Sequence, residues 1–156
     1  MFKKQLSSLK LADIITILGL QSTLIAIFGS IHHWGIIIHF ALYFQYLMDF
    51  FDGKIARKYG ASKLGIYLDS FADFSSILAL SIILWQFNPH LGGMIGGSAF
   101  IIAASIRLAF FTDREQSGQK GFIGLPTTAA GFLINTLWLI LPASSFGYFS
   151  IIYLIF

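Results

Sequence analysis

The residues best placed to do chemistry in this 156-residue chain are four aspartates. Asp49-Phe-Phe-Asp52-Gly53-Lys-Ile-Ala56-Arg57 closes one apolar run, and Gly65-Ile-Tyr-Leu-Asp69-Ser-Phe-Ala-Asp73 opens the next. Residues three or four apart share a helix face. Asp49 therefore pairs with Asp52, Asp69 pairs with Asp73, and a short connection makes the two helices antiparallel neighbours whose carboxylates converge. An ionised carboxylate inside a membrane-spanning segment costs on the order of 2.5–3.5 kcal/mol, roughly 10 kcal/mol for four before their mutual repulsion. Hard divalent cations offset that cost. Oxygen ligands suit Mg²⁺ or Mn²⁺, and bridging carboxylates suit two such ions about 4 Å apart. Beside the acids, Gly53, Ala56 and Gly65 leave room for close backbone approach, and Arg57 supplies a planar fork for phosphate oxygens.

The elements that must position these groups are apolar. Hydrophobic side chains make up 56% of the chain and charged ones 11%, at a mean hydropathy of +0.79, beyond what a soluble domain of this size carries. A spanning helix needs about 20 mostly apolar residues. Such runs occupy 13–31, 34–51, 65–87, 91–111 and 126–141, and a shorter sixth occupies 146–156. The expected fold is all-α: a polytopic bundle of about six transmembrane helices in one domain covering 1–156. The last run is short enough to suggest a partial helix or a truncated chain. The absence of cysteine excludes disulfides, thiolate metal sites and cysteine nucleophiles.

Charge sets the expected orientation. Every Lys and Arg lies before the first run, between the second and third, or at and after the end of the fourth, whereas the alternate loops carry only His32, His33 and His90. By the positive-inside rule the N-terminus is cytoplasmic. The acids fall on the same side, so any chemistry faces the cytoplasm. The histidines read as interfacial polar residues, and Gly92-Gly93-Met-Ile-Gly96-Gly97 reads as a helix-packing stripe or a dimer seam.

The pattern Asp49-x-x-Asp52-Gly53-x-x-Ala56-Arg57, a short gap, then Gly65-x-x-x-Asp69-x-x-x-Asp73 resembles the signature of the CDP-alcohol phosphotransferase family at every fixed position. The resemblance implies a CDP-linked lipid such as CDP-diacylglycerol, attacked at its β-phosphate by a small alcohol with release of CMP. It implies two divalent ions, Mg²⁺ or Mn²⁺, on Asp49, Asp52, Asp69 and Asp73. Asp73 would also be the general base, and Asp52, Gly53, Ala56, Arg57 and Gly65 would line the CDP site. A homodimer in the cell (inner) membrane follows by the same analogy, and no nucleic-acid partner is implied.

The acceptor has to be read from the second half. Arg107-Leu-Ala-Phe and Gly121-Phe-Ile-Gly124-Leu125-Pro126 resemble stretches that flank the cytoplasmic loop of membrane-embedded phosphatidylserine synthases, which implies L-serine. Arg107 and Lys120 would then contact the acceptor. Two stretches depart from those synthases: Phe74-Ser-Ser-Ile-Leu-Ala-Leu after Asp73, and Phe110-Phe111-Thr112 after the fourth run. Glycerol 3-phosphate and inositol phosphate stay open as acceptors, because an arginine does not distinguish a carboxylate from a phosphate. A different class of protein, a cation or proton transporter, would also place acids in spanning helices. It would need polar groups continuing to the outer side, and beyond Asp73 the third run offers only Ser75, Ser76 and Ser81.

Overall fold

The structure, a computed structural model, describes residues 9–60, 62–87, 89, 91–116 and 126–140. Within them the chain forms five helices: α1 (Leu11–Ile31), α2 (Gly35–Tyr59), α3 (Lys63–Phe87), α4 (Leu91–Gln116) and α5 (Thr127–Ile140). The expected sixth run, 146–156, lies outside the described residues, as do Lys120 and the 121–125 stretch. Segments Leu11–Ile31, Leu64–Phe87 and Met94–Asp113 are each long and apolar enough to cross a membrane. α5 is a shorter apolar helix, and α2 is uncharged from Gly35 to Met48 before its acids and bases begin.

The break expected at 52–64 shrinks to residues 60–62, because α2 continues through the acidic motif to Tyr59. A single glycine costs about 1 kcal/mol against alanine inside a helix, too little to end one whose following residues are adequate helix formers. Arg57 and Lys58 lie in the last turn, where the helix dipole favours cations. Gly60 ends the helix at φ 78°, a left-handed conformation open to glycine, and its N–H donates to Ala56 O at 2.8 Å. Two residues on, the Ser62 hydroxyl accepts the Gly65 N–H at 2.8 Å and caps the start of α3. α4 likewise runs past its expected limit at residue 111.

α1 is built inside out relative to a helix of a soluble protein. Its buried residues are Ala12, Asp13, Thr16, Gly19, Ser22, Thr23, Ala26, Gly29 and Ser30, while Leu18, Leu24, Ile25, Phe28 and Ile31 are exposed. Water would not tolerate that outer face, and lipid is its natural solvent. In a bilayer, helices associate through small residues that let backbones approach and through hydrogen bonds between them. Both devices are present: Ser22 Oγ donates to Ala41 O of α2 at 2.6 Å, and Gln86 Nε2 of α3 donates to Ser30 O at 2.9 Å. Among the described residues, large apolar side chains form a core where α2, α3, α4 and α5 meet, around Leu42, Leu80, Ile83, Phe100 and Ile134.

α5 docks on α2 along a polar seam. Tyr43 Oη lies 3.0 Å from Thr136 Oγ1, and His39 Nδ1 lies 2.9 Å from Oδ1 of the fully buried Asn135. Nearer the acids the seam closes on Gly131, where a Cβ would stand 3.0 Å from Tyr46 Oη. Gly131→Ala is expected to lower the unfolding temperature in detergent, and Gly131→Val to lower it further, because overpacking typically costs about 1–3 kcal/mol. Thermal unfolding of the purified variants checks this.

Candidate active site

The four aspartates arrive from two helices, as their spacing requires, and two further helices hold them in place. Asp49, Asp52 and Asp69 each bring a carboxylate oxygen into a group whose members all lie within 4.8 Å of one another. Asp73 sits one turn deeper on α3, with Asp49 and Asp69 as its charged neighbours. Its Oδ2 accepts a hydrogen bond from Thr127 Oγ1 of α5 at 3.0 Å. Its Oδ1 is buried and accepts none from the described residues. Thr128, next along α5, lines the same cavity as Asp49. On the opposite side, Thr16 Oγ1 of α1 donates to Asp52 Oδ2 at 2.6 Å.

This arrangement fits divalent cations. The clustered donor set consists of carboxylate oxygens, as Mg²⁺ and Mn²⁺ prefer, and the orphaned Asp73 Oδ1 is the kind of buried acceptor that a ligand completes. Asp49, Asp52 and Asp69 are the residues that would hold an ion directly, with Asp73 alongside. Such ions would neutralise a bound diphosphate and offset charge on a departing phosphate.

The acids lie at the polar end of a cavity of about 1030 Å³ between α2, α3, α4 and α5. Gly53, Arg57 and Arg107 also line it, and its other walls are apolar, among them Ile106, Phe110, Phe132 and Leu133. Arg57 folds back along α2 so that its guanidinium lies 3.6 Å from where a Gly53 Cβ would stand. A guanidinium fork, the acids and an apolar wall thus share one space, a combination suited to a lipid with a charged, phosphorylated head.

The structure therefore brings together Asp49, Asp52, Gly53, Arg57, Asp69, Asp73 and Arg107. Ala56 and Gly65 are not among the residues lining the cavity. Gly65 is buried against α1, where a Cβ would collide with the Asp13 carboxylate, so its smallness serves helix packing. Lys120 lies outside the described residues. Sequence reasoning missed Thr127 and Thr128, although a pair of hydroxyls directly after Pro126 at a helix start is a visible signal. It also missed Thr16 and the seam histidine His39, both of which sit inside otherwise apolar runs.

Comparison with known proteins agrees with this geometry. A sequence profile for the CDP-alcohol phosphatidyltransferase family matches residues 9–156. The CDP-diacylglycerol--serine O-phosphatidyltransferase of Bacillus subtilis (strain 168) is 37% identical over 133 residues, covering 79% of this chain and 72% of that protein. A protein of the same name from Methanocaldococcus jannaschii is 32% identical over 127 residues, covering 80% of this chain but 58% of the relative. No solved structure gives a significant match. The chain belongs to the CDP-alcohol phosphatidyltransferase family, a family of membrane enzymes of phospholipid synthesis.

If the acidic group takes a divalent ion, adding Mn²⁺ to chelator-stripped protein should raise its unfolding temperature. At a hundredfold excess over Kd the stabilisation is about 2.7 kcal/mol. Asp69→Asn should lose most of that shift while keeping the cation-free unfolding temperature near wild type.

Proposed function

We propose that this protein transfers a phosphatidyl group from CDP-diacylglycerol to the hydroxyl of L-serine and releases CMP. The observation that carries the reading is the single cavity in which the acidic group, Arg57, Arg107 and an apolar wall meet. The two relatives named for serine transfer support the choice of acceptor. Family membership weighs against ion transport as the role of the acids.

In the proposed mechanism the diphosphate lies across the acidic group with Arg57 on its oxygens, and the acyl chains follow the apolar wall. Asp52, Gly53 and Arg57 form the CDP side, with Ala56 and Gly65 backing it from outside the cavity wall. The acceptor hydroxyl is held near Asp73, whose Oδ1 is free to accept its proton because Thr127 occupies Oδ2. The hydroxyl oxygen forms a new bond to the β-phosphorus, the bond from that phosphorus to the bridging oxygen breaks, and CMP departs with that oxygen. Two divalent ions, Mg²⁺ or Mn²⁺, would balance the charge of the diphosphate and the leaving group.

Arg107 supports an anionic acceptor. It lies on α4 among Ile106, Leu108, Phe110 and Phe111 at the cavity wall. A guanidinium at an apolar cavity wall suits a carboxylate such as that of serine, with Lys120 assigned to the same acceptor from its place in the sequence. The whole chain, 1–156, would act as one domain, as a homodimer in the cell membrane, with the site at the cytoplasmic face where the basic segments cluster.

The test is CMP release from CDP-diacylglycerol by purified protein in detergent with Mn²⁺, offered serine, glycerol 3-phosphate, inositol 1-phosphate or no acceptor. Stimulation by serine alone supports the proposal, and stimulation by a phosphorylated alcohol instead moves the protein to a sister activity. Asp73→Asn should lower turnover by about 10²–10⁴-fold, the usual worth of a general base, while CDP-lipid binding persists. Arg107→Ala should raise KM for serine more than KM for the CDP-lipid. A rise confined to the CDP-lipid would assign Arg107 to the lipid site.

A further inference from the structure

α1 carries none of the motif residues, yet it reaches the acidic site through one atom. Thr16 is 4% exposed, and its hydroxyl has two acceptors within reach: Ala12 O on its own helix at 3.1 Å, and Asp52 Oδ2 across the helix pair at 2.6 Å. A hydroxyl carries one proton. The shorter contact goes to the charged oxygen, as expected for a charge-assisted bond, so the proton belongs to Asp52.

The hydroxyl is also held still. One turn before it, the almost fully buried Asp13 accepts the Lys10 N–H at 2.8 Å, and its carboxylate fills the space above Gly65 at the start of α3. Further along, Ser22 is bonded to Ala41 O of α2 at 2.6 Å. α1 is thus tied to both acid-bearing helices on either side of Thr16. An aspartate carboxylate has a broad, roughly two-fold torsion about its last bond, so a fixed donor on one oxygen decides where the other points. One oxygen of Asp52 stands in the group formed with Asp49 and Asp69, and a donor on Oδ2 leaves Oδ1 the freer of the two for that place.

We infer that Thr16 is a positioning residue for the acidic site: its hydroxyl holds one oxygen of Asp52 so that the carboxylate is preset to bind a divalent cation with Asp49 and Asp69. The inference rests on the reading of these aspartates as a cation site. Partners that orient a ligating group from behind typically change metal affinity by about 10–100-fold when removed. Thr16→Val removes the donor at constant shape, and Thr16→Ser restores it.

The experiment is a Mn²⁺ titration of purified, chelator-stripped protein in detergent. Free Mn²⁺ is read by electron paramagnetic resonance, alongside the unfolding temperature without cation. Thr16→Val should bind Mn²⁺ about 10–100-fold more weakly, and Thr16→Ser should bind close to wild type. In turnover assays Thr16→Val should need correspondingly more Mn²⁺ to reach its plateau. Unchanged Mn²⁺ affinity in Thr16→Val, with or without a lower cation-free unfolding temperature, overturns the inference and leaves Thr16 a packing residue. Wild-type protein that binds no Mn²⁺ overturns the cation site itself, and the inference with it. Should Thr16→Val not survive purification, Thr16→Ala carries the same comparison.

Discussion

Carboxylates held among apolar helices are costly, and most of what is distinctive in this structure answers that cost. Each ionised acid within a spanning segment is unfavourable by about 2.5–3.5 kcal/mol, and four stand within two turns of one another on α2 and α3. The protein gathers three of them into one oxygen-rich group and surrounds the set with hydroxyl donors from Thr16 and Thr127. Hydroxyls are suited to the task because they donate to an anion without bringing a charge that would compete with a cation for it. A lysine in their place would neutralise the acids and end their capacity to hold a metal.

That constraint orders the fold. α2 and α3 carry the acids, α5 reaches them through its first turn, and α1 supports them from the far side. The described part of α5 is 14 residues and apolar on much of its surface, so packing alone would leave its position along α2 poorly specified. The bonds from Asn135 and Thr136 to His39 and Tyr43 fix it, and thereby fix where Thr127 meets Asp73. The cavity inherits its two-sided character from the same geometry. Its polar end is where α2 and α3 face each other, and its apolar side is where α4 and α5 stand apart.

Much of this was legible in the residue order, and the remainder was hidden for identifiable reasons. Spacing of three and four put Asp49 with Asp52 and Asp69 with Asp73, and the structure brings them together because helical periodicity leaves no alternative. The apolar runs correctly marked five helices. The end of the second apolar run at residue 51 was a misleading boundary, since charged and polar helix formers carry the helix on, whereas Gly60, with its positive φ, ends it. Thr16 was illegible because a threonine in an apolar run has no period of its own. Its role appears only when Asp52, 36 residues away in sequence, is brought to it. The smallness of Gly65 likewise looked like room for a ligand and is taken up by Asp13.

The reversed faces of α1 bear on how the protein is made. A helix whose bulky side chains all point outward enters the bilayer on hydropathy alone, needing no neighbour to shield it. Apart from Asp13 at the very start of the helix, its inward stripe is alanine, glycine, serine and threonine, tolerable against lipid for as long as it waits. The acidic end of α2 has no such independence, because Asp49 and Asp52 are expensive until something receives them. Chain order supplies the remedy: synthesis delivers the hydroxyl-bearing stripe first, so that when Asp52 emerges its partner on α1 is already in the membrane.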